Sequence, residues 1–456
     1  MKTVFITIFE GVEAKNILRT EILAKLLKDP EIKVVLFTKS QERIDYYKKE
    51  FYNERLSYEC VDSVSPRTTY LESLFRYLKF LLLRTDTTNI RRRLALQTKR
   101  DYLSYSLGHF FNIFLAHRPV RKLVRYLDFT LVRDTSFAAY FDKYRPDLVF
   151  LAHLFEDHEI HFLREAKRRK IKTVGLVNSW DKVTARAIMR LLPEKIVVFN
   201  EIVKAEMMRY NDVAGENIFV SGLPQYDHYF KEPISSREAF FQKIGVHPRN
   251  KLIVYAPFGR SFSSYDWEMA DVLYRLNQEG RFGGNIAILV RFQPNDFVDE
   301  KELKKRPNLL YDYPGKRFSS KRGVDWDMNF DELAHLRDTL SYMALLICWA
   351  GSIGIDAAVF DKPVINLGFN IRPHVQSLHS PLPHYSFTHY KKVLAIGGIR
   401  FVRNEEEMTF WINEYLRDPL IDQDKRRALV KQECNFFDGK SGKRIAEYLK
   451  GCFSRL

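Results

Sequence analysis

Short apolar runs alternate with amphipathic stretches along most of the chain, and this alternation constrains the fold more than any other feature. Val4–Phe9 is an apolar run typical of a buried strand, and Lys33–Thr38 is a second one. Between them, Ala14–Leu27 carries isoleucine and leucine residues at helical spacing. A strand, a helix and a second strand at this pitch predict a βαβ unit, in which the two strands are parallel.

The same alternation predicts two doubly wound domains. It resumes at Leu148–Leu151, includes a helix expected near Thr184–Leu192, and continues to Ile218–Ser221. A polar stretch at 231–250 suits a link between domains, and a second series of strands and helices begins at Lys251–Ala256. A chain of 456 residues has room for two such domains. We therefore predict an N-terminal domain over 1–230, a C-terminal domain over 231–425, and a segment at 426–456 whose helix packs back on the first domain.

Residues 74–133 interrupt this pattern inside the first domain. They contain 13 lysine and arginine residues and three acidic residues, so they carry +10 of the chain's net charge of +16. Aromatic and aliphatic residues alternate with the basic ones, which predicts two or three amphipathic helices. Such helices could pack on the domain with a solvated basic face, or contact an anionic membrane surface. Nucleic acid is a weaker alternative, because no recognition motif is present.

The overall composition narrows the class of protein. Apolar residues make up 46% and charged residues 29%, which excludes a disordered or collagen-like chain. The four cysteines form no C-x-x-C pair, which favours a reducing compartment. The longest apolar stretches, Phe80–Leu83 and Tyr342–Ala350, are shorter than the ~20 residues of a membrane span. We expect a cytoplasmic protein that is at most peripheral on the inner face of the membrane.

The most specific signal is the string ICWAGSIGIDAAVFDKPVI at 347–365. An apolar strand runs into a turn of small residues at 350–352, where a helix is predicted to begin. Small residues let a ligand approach the backbone, and the free N–H groups of a helix start favour a phosphate. Asp356 follows about one turn later, within reach of a ribose hydroxyl. The string therefore predicts a nucleotide-donor site, with an ordinary strand-to-helix turn as the alternative; the site residues would be Gly351, Ser352, Ile353, Gly354 and Asp356.

Four stretches of the sequence resemble one superfamily of enzymes. They are Ser179–Ala185 (SWDKVTA), Val220–Asp227 (VSGLPQYD), Gly351–Pro363 and Asp438–Arg444 (DGKSGKR). They are similar to strings of the GT-B nucleotide-sugar enzymes, in particular bacterial surface-polysaccharide transferases and CDP-glycerol glycerophosphotransferases. The resemblance covers most of the chain outside 60–135. It implies an α/β, GT-B-like fold, in which two Rossmann-like doubly wound domains face a cleft and the basic helical insert belongs to the N-terminal domain.

Two departures from the glycerophosphotransferase pattern concern histidines. In that family the tryptophan string carries a histidine thought to act as a base, and the matching position here is Asp181. The family's Arg-x-His-Pro string appears here as Arg291–Pro294, with Gln293 in place of the histidine. Both departures favour sugar transfer over histidine-based phosphotransfer. Arg291 is retained at the end of a predicted strand, where a guanidinium would hold a donor diphosphate.

The resemblance also implies how the two domains share the reaction. The C-terminal domain would hold the nucleotide through the small-residue turn, Asp356 and Arg291, and the N-terminal domain would present the acceptor. A carboxylate or imidazole would take the acceptor proton. Candidates at the expected strand ends are Glu10, Glu13, His153, Asp157 and Asp181. Glu13 and Asp181 also suit helix capping, so no single residue is selected.

We interpret the sequence as that of a glycosyltransferase that moves a sugar from a nucleotide-sugar donor to a surface polysaccharide or lipid-linked acceptor. A helix end and cations would stabilise the leaving diphosphate, so neither a metal nor a cofactor is expected. Glycerophosphate transfer and nucleotide-sugar 2-epimerisation on the same fold are the alternatives. An epimerase needs no membrane acceptor, so the basic insert argues against that activity. A non-catalytic or nucleic-acid-binding protein is the third class.

Overall fold

A computed structural model describes residues 1–61, 69–260, 262–318, 325–372 and 380–454. Two units make up the chain, Met1–Asp227 with Cys434–Leu456 and His228–Glu433. The division therefore comes at 227/228 and 433/434, compared with 230/231 and 425/426 in the sequence-based division.

The first unit is an α/β fold with one parallel sheet. Its strands are β1 (Lys2–Thr7), β2 (Ile32–Thr38), β3 (Leu56–Cys60), β4 (Leu148–Leu151), β5 (Lys172–Leu176), β6 (Lys195–Val198) and β7 (Ile218–Val220). Its helices as far as residue 211 are α1 (Gly11–Ile17), α2 (Glu21–Lys28), α3 (Gln41–Glu50), α4 (Tyr70–Leu81), α5 (Asp86–Lys99), α6 (Tyr102–Leu115), α7 (Arg118–Leu131), α8 (Ala138–Tyr144), α9 (Asp157–Arg168), α10 (Lys182–Ala185) and α11 (Glu201–Asn211). The strand order is β3-β2-β1-β4-β5-β6-β7.

Helices cover both faces of this sheet, which explains its continuous apolar strands. Along β1, Val4 and Ile6 pack into one apolar cluster, while Phe5 packs into the cluster on the opposite face. A strand buried on both faces is apolar throughout, as the sequence of β1 shows. Because β1, β4 and β5 are neighbours in the sheet, their carboxyl ends bring the loops that follow them to one edge.

The basic insert forms four helices, α4 to α7, rather than the two or three expected. A buried ion network ties them to the first unit. The Arg190 guanidinium donates hydrogen bonds to Glu72 on α4 and, at 2.7 and 2.9 Å, to Asp128 on α7. Arg121 and Arg125 of α7 pair with Asp212 at 2.6 and 2.9 Å. Part of the positive charge of the insert is therefore used inside the unit.

The prediction of a helix near Thr184–Leu192 is wrong, because α10 ends at Ala185. The backbone beyond it bonds to other elements instead of to itself. The Ile188 N–H donates to the Lys79 carbonyl at 3.1 Å, and the Met189 N–H donates to the Asn211 side chain at 2.7 Å. These partners lie on α4 and α11. The conformation of the segment after α10 is therefore determined by hydrogen bonds to these two helices.

The second unit repeats the architecture with a smaller sheet. Its strands are β8 (Lys251–Ala256), β9 (Ile286–Arg291), β10 (Tyr311–Asp312), β11 (Lys316–Arg317), β12 (Trp326–Asp327), β13 (Met343–Cys348), β14 (Val364–Leu367) and β15 (Arg400–Val402). Its helices are α12 (Arg237–Lys243), α13 (Asp266–Gln278), α14 (Glu300–Lys304), α15 (Phe330–Tyr342), α16 (Ile353–Val359), α17 (Thr388–Ile396), α18 (Glu405–Arg417) and α19 (Gln423–Cys434). Six strands form a parallel sheet in the order β10-β9-β8-β13-β14-β15, and β11 pairs with β12 antiparallel.

The last helix, α20 (Ser441–Ser454), packs on the first unit. Its Ile445 and Leu449 are fully buried in the apolar cluster that also contains Leu23 and Leu26 of α2. Among the described helices, none combines the length and the apolar character that crossing a membrane requires.

Candidate functional sites

Three of the predicted catalytic residues come together at the carboxyl ends of β1 and β4. Glu10, Glu13 and His153 each place one side-chain atom within 4.8 Å of the others. His153 Nε2 lies 3.8 Å from Glu10 Oε2. The sequence analysis missed a fourth member, Lys182, whose Nζ contacts His153 Nε2 and lies 3.9 Å from Glu10 Oε2. We call Glu10, Glu13, His153 and Lys182 the strand-end cluster.

Two buried carboxylates hold the loops that carry this cluster. Glu13 Oε2 accepts the N–H of Glu10 at 3.0 Å and also that of Phe9. Glu159 on α9 accepts the N–H of His153 at 2.7 Å through Oε2. Both carboxyl groups therefore bind the backbone of the loops that carry the cluster. Glu13 is fully buried, whereas Glu10 retains 8% exposure, so Glu10 is the more accessible carboxylate.

The His153 ring is oriented by a backbone contact. The Phe155 N–H donates to His153 Nδ1 at 3.2 Å, which turns Nε2 towards Lys182 and Glu10. Burial, with a smaller contribution from the positive charge of Lys182, lowers the pKa of His153 well below its usual value. The imidazole is therefore neutral at pH 7.

Burial has the opposite effect on the carboxyl groups. It raises the pKa of Glu10, which Lys182 partly opposes. It raises the pKa of Glu13 well above its ordinary value, and the neighbouring Glu159 adds to that shift. It raises the pKa of Glu159 to about 8. A carboxylate with a raised pKa accepts a proton more readily than an exposed one, which suits general-base chemistry.

The strand-end cluster also has the donor types that divalent cations use. Within the described chain, Glu13 Oε1 is buried without a hydrogen-bond partner. Lys182, however, places its ammonium group against His153 and close to Glu10, and so supplies positive charge at the same atoms. The absence of a metal, expected from the sequence, stays a prediction.

The other two catalytic candidates lie in different surroundings. Asp157 begins α9 and forms ion pairs with Lys79 at 2.9 Å and Arg76 at 3.1 Å, so it holds helix α4 of the insert. Asp181 precedes α10 and accepts the Ser179 hydroxyl at 2.5 Å, but its side chain does not cap that helix. Asp181 is nevertheless the N-cap residue of α10, because its carbonyl oxygen accepts the N–H groups of Thr184 and Ala185 at 3.3 and 2.9 Å. The capping role considered for Asp181 is therefore confirmed through its backbone.

In the second unit, the turn at 349–352 joins β13 to α16, as the small-residue string predicts. Among the described residues, a Cβ added at Gly351 would have only the Trp349 carbonyl oxygen within 4 Å, at 3.8 Å. The packing of the unit therefore does not require glycine at this position. Gly354 is different, because a Cβ there would lie 3.1 Å from Ile399 Cδ1. Gly351 thus borders open space, while Gly354 packs against the interior.

Two further donor-site candidates are engaged within the second unit. Asp356 is buried and its Oδ1 accepts the Tyr229 hydroxyl at 2.8 Å. Arg291 is buried at the end of β9 and donates to Asp312 on β10 at 2.8 Å. Since β8 lies between β9 and β13 in the sheet, this ion pair directs the guanidinium away from the Gly351 turn. The contact with Asp312 therefore holds the Arg291 guanidinium on the β10 side of β9.

Two of the four family-like strings contact each other at the start of α20. The Asp227 carboxylate accepts the N–H groups of Ser441 and Gly442 at 3.0 and 2.7 Å. Arg444 Nε donates to the Ser221 carbonyl at 2.8 Å. A carboxylate at a helix N-terminus satisfies free N–H groups and favours the helix dipole. These two strings therefore fix α20 on the first unit.

Comparison with known families decides the assignment. The model of the family described as CDP-Glycerol:Poly(glycerophosphate) glycerophosphotransferase matches residues 177–451, more than half of the chain. The chain belongs to this family. Membership makes the protein a transferase. The matched range includes Lys182, the Gly351 turn and α20 as far as Gly451, whereas Glu10, Glu13 and His153 precede it. No curated protein is significantly similar to the chain in sequence.

Solved structures share the fold at low sequence identity. The UDP-GlcNAc 2-epimerase from Neisseria meningitidis bound to UDP-GlcNAc has a TM-score of 0.55 at 14% identity, with 99% of this chain and 100% of that chain covered. The S. aureus MnaA–UDP co-structure has a TM-score of 0.54 at 11% identity, with 100% and 98% covered. The wall teichoic acid polymerase TagF with CDPG has a TM-score of 0.52 at 10% identity, with 99% and 88% covered. The predicted GT-B fold with two Rossmann-like domains is confirmed.

Proposed function

We propose that the protein is a glycosyltransferase that moves a sugar from a nucleotide-sugar donor to a saccharide or lipid-linked acceptor. The observation that carries this proposal is the strand-end cluster. Transfer to a hydroxyl group needs a residue that takes the hydroxyl proton. In this proposal Glu10 takes the proton, because it is the more exposed of the two carboxylates and its pKa is raised by burial.

His153 and Lys182 act as positioning residues in this scheme. Their nitrogens lie 3.8 and 3.9 Å from Glu10 Oε2. A neutral imidazole and an ammonium at that distance orient the carboxylate, and the ammonium favours its ionised form before the proton arrives. Glu13 and Glu159 hold the loop backbones and take no part in proton transfer.

The donor side of the proposal is the turn at Gly351 and Ser352. The turn borders open space and lies within the range that matches the family. A nucleoside diphosphate bound there would approach the backbone as closely as a glycine allows. Asp356, whose Oδ1 accepts the Tyr229 hydroxyl, would contact the ribose through its carboxylate. Arg291 is left out of the donor site, because its ion pair with Asp312 points elsewhere.

Sugar transfer is preferred over phosphotransfer because of two positions. Gln293 stands where the family pattern has a histidine. Its amide group donates to the Phe258 and Pro257 carbonyl oxygens at 2.8 and 3.3 Å, so it binds the backbone of the loop after β8. Asp181 occupies the other histidine position. Glycerophosphate transfer is the second candidate, because the family match favours it. Epimerisation has no comparable support, since the likeness to epimerases shows the fold alone.

The proposal includes an anionic membrane surface as a partner of the insert, because a lipid-linked acceptor would be presented there. Eight basic residues of the insert are exposed: Arg84, Arg91, Arg93, Lys99, Arg100, Arg118, Lys122 and Arg133. Each would contribute about 1 kcal/mol near such a surface, and salt would screen the attraction.

The test is incubation of the purified chain with a panel of nucleotide-sugars and with CDP-glycerol, each with and without a lipid-linked saccharide acceptor. Mass spectrometry of the products separates the candidates. Glycosyl transfer gives a nucleoside diphosphate and an acceptor with one added sugar. Glycerophosphate transfer gives CMP and an acceptor with one added glycerol phosphate. A changed sugar with no acceptor present would mean epimerisation, and no turnover of any donor would refute the proposal.

A further inference from the structure

Helix α6 of the insert presents an unusual surface. Its sequence, YLSYSLGHFFNIFL, contains no acidic residue, no lysine and no arginine, and Asn112 is its one buried residue. Leu103 is 71% exposed, Phe114 is 59% exposed and Phe110 is 54% exposed. Isolated exposed apolar residues are ordinary, but several on one helix mark an interaction surface.

A groove runs beside this helix, between α4, α5 and α6. Its volume is about 350 Å³. That is more than twice the ~150 Å³ of a cavity that holds benzene. Phe80 and Leu81 of α4, Leu96 of α5 and Tyr105 of α6 give it an apolar lining. A hydrocarbon chain fits such a lining, since burying its surface is favourable.

Two cations lie in the same groove. Arg92 and Lys99 line it, and one acid, Asp101, lines it with them. Asp101 is already engaged as the N-cap of α6, where it accepts the Ser104 N–H at 3.0 Å. Among the described residues, the Arg92 guanidinium has a long hydrogen bond to Asn89 Oδ1 at 3.3 Å and no ion pair. The groove therefore combines an apolar lining with a net positive charge.

Gly108 keeps the groove open. It lines the groove, and a Cβ added to it would meet no atom of the described part of the chain within 4 Å. Glycine inside a helix costs roughly 1 kcal/mol relative to alanine. Glycine at this position therefore does not stabilise the fold, but it leaves space in the groove for a ligand.

We propose that this groove binds one membrane lipid with a phosphate headgroup. Its hydrocarbon chain lies against Phe80 and Leu96, and its phosphate contacts Arg92 and Lys99. The exposed face of α6 lies in the apolar part of the same membrane surface. The ligand is a lipid rather than free phosphate, because phosphate alone would make no contact with the apolar lining of the groove or with the apolar face of α6. This site does not depend on the transfer reaction, and its binding is measured without a nucleotide.

The test is fluorescence titration of the full chain with NBD-labelled lysophosphatidic acid below its micelle concentration. The matched uncharged probe is NBD-labelled monoacylglycerol with the same chain. We expect saturable binding of one anionic probe per chain, and affinity lower by about 25-fold for the uncharged probe, at about fivefold for each cation. The double variant Arg92→Gln/Lys99→Gln should show the same loss for the anionic probe. Equal affinity for both probes, or no saturable binding, would overturn the proposal.

Gly108→Leu tests the apolar part of the groove. A leucine there fills the space and favours the helix, so the variant should melt no lower than the wild type and should bind the probe at least about tenfold more weakly. Ser106→Leu, and Arg93→Gln with Arg118→Gln, are the controls outside the groove and should bind within about twofold of the wild type. Unchanged binding by Gly108→Leu would reject the groove. Displacement of the probe by inorganic phosphate at similar concentrations would show a phosphate site and reject the lipid.

Discussion

The two glycines of the 349–352 turn and helix α16 offer a direct test of the donor site. A side chain at Gly351 would project into open space, because its Cβ would have one neighbouring atom within 4 Å, at 3.8 Å, in the part of the chain that the structure describes. A side chain at Gly354 would press on Ile399, whose Cδ1 would lie at 3.1 Å. The sequence analysis placed both glycines in the donor site, and the structure gives them different surroundings. We therefore predict that Gly351→Val lowers nucleotide affinity but not stability, and that Gly354→Val lowers stability but not nucleotide affinity.

The expected sizes follow from these surroundings. Gly351→Val should change the free energy of unfolding by less than about 0.5 kcal/mol, as surface substitutions do. It should hold a diphosphate away from the backbone and remove about two charge-assisted hydrogen bonds, or about 3 kcal/mol. That is a loss of about 100-fold in nucleotide affinity. Gly354→Val should instead cost about 1–3 kcal/mol of stability through overpacking and leave affinity within about threefold.

The measurements are isothermal titration with UDP, CDP, GDP and dTDP, and thermal unfolding of each variant. The nucleotide that the wild type binds serves for the comparison. The donor-site assignment would be refuted if Gly351→Val kept wild-type affinity. It would also fail if both variants lost affinity in proportion to their loss of stability, because binding would then follow folding alone.

Three further predictions concern the first unit. Glu10→Gln should lower kcat by about 10²–10⁴-fold with little change in nucleotide affinity. The control Glu21→Gln, at an exposed position, should keep wild-type kcat. Equal kcat values for the two variants would show that Glu10 takes no part in the mechanism. Arg190→Met should cost about 4 kcal/mol of unfolding free energy at pH 7, measured in urea, because it leaves Glu72 and Asp128 buried without that partner. Burial alone would raise the pKa of Glu72, but the hydrogen bonds from Arg190 and the nearby His161 ring, 3.6 Å away, lower it. The stabilisation by Arg190 should therefore fade as the pH falls below about 4.5, and a constant cost of the substitution down to pH 3 would contradict the assignment. Burial raises the pKa of Glu159 to about 8, so the contribution of its protonated form to the free energy of unfolding is complete below about pH 4.5 and is lost as the pH rises through 8. Between pH 5 and pH 8, the Glu159→Gln variant should therefore lose less stability than the wild type. Parallel stability profiles of the two proteins over this pH range would exclude the raised pKa.

The sheets could be predicted from the sequence because their strands are apolar throughout. Val4–Phe9 was expected where β1 runs over Lys2–Thr7, and Lys251–Ala256 matches β8. Helices α17 to α19 were not predicted. Helix α19 is highly charged, and its Arg426 is buried because Asp361 and backbone carbonyl oxygens, including that of Pro419 at 2.7 Å, surround the guanidinium. A charged residue whose burial depends on distant partners has no signature in local periodicity.

The candidate site was predictable only to the level of the sheet edge. Parallel strands bring their carboxyl ends to one side, so the loops after β1, β4 and β5 were expected to meet. Which side chains converge depends on how each loop is held. Glu13 and Glu159 hold two of these loops through backbone N–H groups. For Glu13 this is the capping role that the sequence allowed, whereas the role of Glu159 was not predicted. Lys182 was missed because the adjacent Asp181 matched the position of a family histidine.

Buried ion pairs explain why the charged residues were the least predictable part of this chain. Arg291 was expected at a diphosphate, and in the structure it pairs with Asp312, which no sequence pattern selects as its partner. Arg121 and Arg125 counted towards the basic surface of the insert, and both pair with Asp212. A desolvated guanidinium needs a carboxylate in contact, since an unpaired buried charge costs several kcal/mol. The net charge of a segment therefore overstates the charge available to a ligand, and in the insert the cations left for an anionic partner are those on exposed faces and in the α4–α6 groove.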